Sequence, residues 1–159
     1  MKRTLMRRQV LKIVGGMALS PWPPPAASAQ ADGVEQTVAA LLAATEEGSI
    51  LQIDLEDLCH TLKLCGSSPV SFTVTDHDVD KVLGACRNAL ARMPSHKVKA
   101  AVLVCSGNGK NFRLTNCAEV FRVIRHAMNE STYLMLGVVS DSTLLDAMRV
   151  SWLAGAPDG

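Results

Sequence analysis

Asp54 and Asp57 stand three residues apart, so a helix beginning at position 54 turns both carboxylates to one side. On residue type alone this is an ordinary N-cap, in which carboxylates meet the free N–H groups of a helix start for about 1 kcal/mol. A second acidic group, Asp76-His77-Asp78-Val79-Asp80, offers three carboxylates and an imidazole. No second ligand group accompanies it, so it reads as charges favoured by a helix N-terminus, and no metal site is expected. His60, His96 and His126 have no partner pattern and read as surface residues. Gly107-Asn108-Gly109-Lys110 invites comparison with a phosphate loop. A Walker A loop requires Gly-x-x-x-x-Gly-Lys-Ser/Thr, whereas Val104 and Asn111 occupy two of the required positions, so a glycine turn is expected. Cys59, Cys65, Cys86, Cys105 and Cys117 form no Cys-x-x-Cys pair and no zinc spacing. Cys86 and Cys105 sit in apolar stretches and read as core; Cys59 and Cys65 are close enough in sequence to bridge. No nucleophile elbow is present, and neither a catalytic constellation in cis nor a cofactor is expected.

The chain of 159 residues carries a formal charge of +1, which averages two unlike parts. Residues 1–31 hold Lys2, Arg3, Arg7, Arg8 and Lys12 and no acid; the rest holds 11 basic and 15 acidic side chains, a net of −4. An acidic body lacks the basic face a nucleic-acid binder needs. Hydrophobic content of 48% with 19% charged residues excludes a wholly disordered chain, and the length allows one domain. No apolar run reaches the roughly 18 residues of a membrane span, so no stable membrane anchor is expected. Met6-Arg7-Arg8-Gln9-Val10-Leu11-Lys12 resembles a twin-arginine export motif, carried by Arg7, Arg8, Leu11 and Lys12. A short apolar run to Leu19, the prolines from Pro21 to Pro25 and small-x-small cleavage sites at Ala27 and Ala29 complete a signal-like layout. Residues 1–31 are therefore expected to be a signal peptide read by the twin-arginine translocase; a disordered basic leader or a misassigned start codon stays open.

The remaining chain alternates helical and strand periods. Val34, Val38, Leu41 and Leu42 make a helical stripe with Asp32 and Glu35 as a capping box and Gly48 as its end. Leu55, Leu58 and Leu62 predict a second helix from Asp54 to before Gly66. Residues 70–75 alternate as a strand, and Asp76 is expected to cap a helix reaching Met93. Residues 98–105 form an apolar strand covered on both sides; Asn116 and Glu119 suggest a box opening a third long helix. Strands follow at 132–139 and 148–155. The layout predicts an α+β two-layer domain, a four-stranded mixed sheet with helices over one face.

From about Gly33 to Pro157 this order resembles the C-terminal domain of FtsZ, the tubulin-like GTPase of bacterial cell division. Leu51-Gln52-Ile53-Asp54-Leu55-Glu56-Asp57-Leu58 is similar to the Asn-x-Asp-x-x-Asp synergy loop of that family. Val102-Leu103-Val104 with its Ser-Gly-Asn-Gly loop, Leu136-Gly137-Val138-Val139-Ser140-Asp141, and Met148-Arg149-Val150 leading to Gly155 resemble later strands and turns of the same domain. The resemblance implies a domain over 32–157 without the family's GTP-binding domain. It also implies that Asp54 and Asp57, with Gln52 in place of the asparagine, are candidates for acting in trans at the GTP of an FtsZ-type partner, where carboxylates position the attacking water. Gln52 is one methylene longer, which weakens catalytic stimulation more than docking. The expected function is a non-catalytic interaction domain that docks on or caps an FtsZ-type subunit. The rival expectations are an exported periplasmic module reusing the fold and a degenerate fragment. Without a working leader the location would be the cytoplasm.

Overall fold

The computed structural model describes residues 1–22, 30–94, 97–110 and 112–158. The cleavage-site residues Ala27 and Ala29, prolines 23–25, His96, and the side chain of Asp32 lie outside the described residues. In chain order the elements are α1 (Lys2–Gly15), β1 (Ser20–Pro21), α2 (Gln30–Ala44), α3 (Leu55–Leu64), β2 (Val70–Asp76), α4 (Val79–Arg92), β3 (Ala100–Gly107), α5 (Leu114–Ala127), β4 (Tyr133–Ser140) and β5 (Met148–Gly155). One mixed sheet runs β1-β2-β5-β3-β4. β5 is antiparallel to both β2 and β3, whereas β1 on β2 and β4 on β3 are parallel. The class is α+β, with five strands where four were expected; the extra one is the short β1.

Helices lie on both faces of the sheet instead of one, and β3 explains why. Its eight residues are all buried. Ala101, Leu103 and Cys105 join the core under α4 and α5, while Ala100, Val102 and Val104 join the core under α2 and α3. A strand apolar at both parities must be covered twice. On the α4/α5 side, Phe72 of β2 stacks on its cross-strand neighbour Trp152 of β5 at a centroid distance of 4.0 Å. The Trp152 Nε1 donor is buried with no hydrogen-bond partner among the described residues.

α1 lies across the second helical layer, packed on α3. Val10 is 1% exposed, and Met6, Ile13, Val14 and Met17 line the same core as Leu58 and Leu62. Ser20 and Pro21 extend the sheet beside Val70 and Ser71, and Trp22 donates to the Ala89 carbonyl at 3.0 Å. Residues 2–22, placed by the sequence outside the domain, thus pack against it. No helix among the described residues is long and apolar enough to cross a membrane.

Three helix starts differ from expectation. α2 already begins at Gln30, so Asp32 sits within its first turn. The N-cap of α4 is Asp78, which accepts from Asp80 N at 2.9 Å, while Asp76 ends β2 and accepts from Asp78 N. α5 starts from Arg113 without a side-chain cap, so Asn116 and Glu119 lie inside the helix. Capping signatures recur in helix interiors, and local spacing alone does not fix which copy the backbone uses. All five cysteines are free and buried; the bridge between Cys59 and Cys65 allowed by their spacing does not form.

Candidate functional site

The loop from α2 to α3 carries Gln52 and Asp54, and the first turn of α3 carries Asp57. α2 ends in a tight turn at Gly48, whose φ of 91° suits glycine. Ser49 Oγ lies within hydrogen-bond distance of the Ala43 and Glu46 carbonyls, at 3.0 and 2.9 Å. Leu51 then exchanges two backbone hydrogen bonds with Val138 of β4, at 3.1 and 3.0 Å. Ile53 N donates to the Ala44 carbonyl at 2.8 Å, and its side chain is 2% exposed. The loop can lie this close to β4 because position 137 is glycine. A Cβ there would sit 2.8 Å from both Ala44 Cβ and Ile53 Cδ1. The backbone around Gln52 and Asp54 is therefore held on both sides, by α2 and by the sheet.

The three predicted site residues are exposed and close in the fold, but their side chains are engaged differently. Asp54 Oδ1 accepts from Glu56 N at 2.8 Å and Asp57 N at 3.2 Å, making it the N-cap of α3. Gln52 Nε2 folds back to donate to the Thr45 carbonyl at 3.0 Å. The Asp57 carboxylate has no hydrogen-bond or ion-pair partner among the described residues. Of the pair, Asp54 commits one carboxylate oxygen to the helix start and Asp57 commits neither.

A group that sequence reasoning placed elsewhere completes this surface. The first turn of α1 brings Lys2 and Arg3 beside Gln52, Asp54 and Glu56, around a depression of about 280 Å³. Arg3 donates to the same Thr45 carbonyl as Gln52 and pairs with Glu47 at 2.9 Å. Arg7, of the export-like motif, pairs with Glu46. Beneath this seam Cys59 lies with its Sγ 4.0 Å from the Met6 carbonyl. Burial pushes its thiol pKa up, Lys63 draws it down, and Asp54 and Glu56 raise it again. The signal for this contact was charge: residues 32–80 hold ten acidic side chains and one basic one, opposite a leader with five basic and none acidic.

The remaining candidates do not join this site. The glycine loop after β3 is a turn: Gly109 has φ 84°, its N–H is bonded to Asn108 Oδ1, and Lys110 N donates to Asp146 Oδ1 at 2.9 Å. A carboxylate therefore occupies the approach that a phosphate would need. Asp76 and Asp78 serve successive turns, and no group of three or more His, Cys, Asp or Glu side chains among the described residues is arranged to hold a metal.

No family model matches the chain, and no curated protein matches it. Among solved structures it is similar to an empty FtsZ dimer from M. jannaschii, with a TM-score of 0.63 and 13% identity over 77% of this chain and 36% of that one. A mutant FtsZ from the same organism gives 0.64 and 14%, over 76% and 37% of the two chains. CetZ from Methanosaeta thermophila gives 0.56 and 14%, over 79% and 36%. The chain spans little more than a third of the length of these structures. At such identity the likeness establishes the fold, that of the FtsZ/tubulin C-terminal domain.

Proposed function

With that fold as premise, we propose that this chain is a non-catalytic interaction domain that docks through its α2–α3 loop face on an FtsZ-type subunit and modulates GTP-dependent polymerisation. One observation carries the reading: Asp57 is exposed and without a partner among the described residues in the first turn of α3, directly after a loop pinned between α2 and β4, at the position matched to the family's synergy loop. A carboxylate left without an internal partner on a fixed backbone is a group prepared for contact with a second molecule. Gln52, bound to Thr45, does not extend toward a partner, so the surface suits docking better than activating water. The glycine loop after β3 is a turn closed on Asp146, so the reading gives this domain a docking role and no nucleotide-binding one. Such a domain ends or shortens filaments.

Titration into polymerising FtsZ tests this. The sedimentable fraction and the GTPase rate should fall with molar ratio, and Asp57→Ala should remove the effect while leaving the melting curve in place. Unchanged sedimentation and turnover across a wide molar excess overturn the reading.

The Arg7-Arg8-Gln9-Val10-Leu11-Lys12 pattern favours a second reading, an exported module with the same fold. Cell fractionation with N-terminal sequencing separates the two. A cytoplasmic chain that still begins at Met1 removes export, and a processed periplasmic chain removes contact with FtsZ.

A further inference from the structure

The far side of the sheet carries a second surface, independent of the α2–α3 loop. Charge along the chain is segregated: residues 81–127 contain nine Lys and Arg side chains and one acid, Glu119. In the fold this stretch supplies α4, β3 and α5. Since β3 is buried, the charge is displayed by the two helices and their flanking turns. Between α4 and α5 runs a groove of about 680 Å³, within the size range of ligand-binding clefts. Leu90, Met93 and Val123 form part of its apolar lining, and Arg87 and Arg122 stand in its walls. Arg92 and Arg125 belong to the same last turns, as does His126, which also lines the groove. Glu119 is bound to Nη1 of Arg122 at 2.7 Å, so the only acid of the stretch is paired within the wall, and the other edge of that guanidinium is the part a second carboxylate would meet. Arg125 donates to the Thr132 and Asn129 carbonyls, which fixes its position and leaves its charge in place.

We propose that the α4/α5 groove is a docking site for an acidic protein segment with apolar anchors, one whose Leu-type side chains enter the groove while its carboxylates meet Arg87 and Arg122. Arg87 and Arg92 in the C-terminal half of α4, and Arg122 and Arg125 in that of α5, are all arginines, whose planar fork matches a carboxylate bidentately where lysine offers a point charge. The apolar lining requires side chains to fill it, which a phosphate backbone does not supply. A lipid surface would need a protruding face, and this one is concave. Helix-in-groove recognition of an amphipathic segment has these requirements.

The full chain is titrated against a fluorescent peptide of Glu and Leu with helical spacing, and against the same peptide with Lys for Glu, by anisotropy at low salt. The acidic peptide should bind at least about 10-fold more tightly than its Lys counterpart, with affinity falling as salt rises. Arg87→Glu with Arg122→Glu should weaken it about 10-fold or more, and Val123→Asn should weaken it too. Arg8→Glu with Lys12→Glu, on the outward face of α1, should leave it unchanged. The melting temperature of each variant shows that it is folded. Equal binding of the two peptides, or unchanged binding by the folded arginine variant, overturns the proposal. So does tighter binding of a DNA duplex or anionic vesicles lost in the arginine variant, or self-association lost in it, which would assign the groove to another occupant.

Discussion

Val10→Ala asks whether α1 belongs to the folded unit. Val10 is 1% exposed, among side chains of α1, α2 and α3. The substitution removes two buried carbons, about 1.6 kcal/mol at about 0.8 kcal/mol per buried CH₂. Incomplete closure of the space adds to this, and the whole lies in the range of about 1–2.5 kcal/mol for a valine-sized truncation. For a chain of this size, about 2 kcal/mol lowers Tm by roughly 4–8 °C. Urea unfolding followed by tryptophan emission is well suited, since Trp22 and Trp152 both lie against the core on the face away from Val10, so the dye-free signal reports loss of the whole fold and not a local change beside the substitution. Arg8→Ala, on the exposed side of α1, is the matched control and should shift the midpoint by less than about 0.5 kcal/mol. If α1 were an address segment that contributes nothing to the fold, Val10→Ala would behave like the control. Coincident midpoints for wild type, Val10→Ala and Arg8→Ala refute the packing argument.

Arg7→Glu alone should destabilise slightly, and combining it with Glu46→Lys should recover part of the loss; the coupling for an exposed pair is about 0.2–1 kcal/mol in a double-mutant cycle. Asp54→Ala should cost about 1 kcal/mol through the lost cap of α3, whereas Asp57→Ala should leave stability within about 0.5 kcal/mol, both by chemical denaturation. Gly137→Ala should destabilise by about 1–3 kcal/mol by forcing β4 from Ala44 and Ile53, and Ile53→Val should relieve part of that in a thermal melt. Burial pushes the Cys65 and Cys86 thiols up to about 12 from an ordinary 9.0. Below pH 9 both folded and unfolded thiols are protonated and stability is intact; between 9 and 12 only the unfolded thiols ionise, so stability should fall with rising pH across that window. Double replacement by alanine should flatten that slope of the midpoint against pH.

Where local spacing coincides with the burial pattern, the sequence is legible. Leu55, Leu58 and Leu62 behind Asp54 give α3 with its cap, and the unbroken apolar run near 98–105 gives β3, covered on both sides. That second observation already implied helices on two faces; counting elements suggested one. Gln52, Asp54 and Asp57 lie close together in the fold because they fall within six residues of chain. Their states were not legible, since the hydrogen bond from Gln52 to Thr45 and the use of Asp54 as a cap depend on how α2 turns at Gly48. α1 escaped because an arginine-rich helix has little amphipathic signal of its own. Its partners Glu46 and Glu47 lie about 40 positions away, and only folding brings them together.

The seating of α1 makes the same residues available for one use at a time. Arg7 is held by Glu46, and Val10 is sealed against the helices below, so any receptor that reads the stretch from Arg7 to Lys12 must first strip the helix from the domain. Recognition of that stretch and completion of the fold are then competing outcomes for a newly made chain. Under the export reading the faster one would set the destination, and a substitution outside the stretch that loosens α1, such as Glu46→Lys, would shift the division toward the receptor without changing a residue it reads.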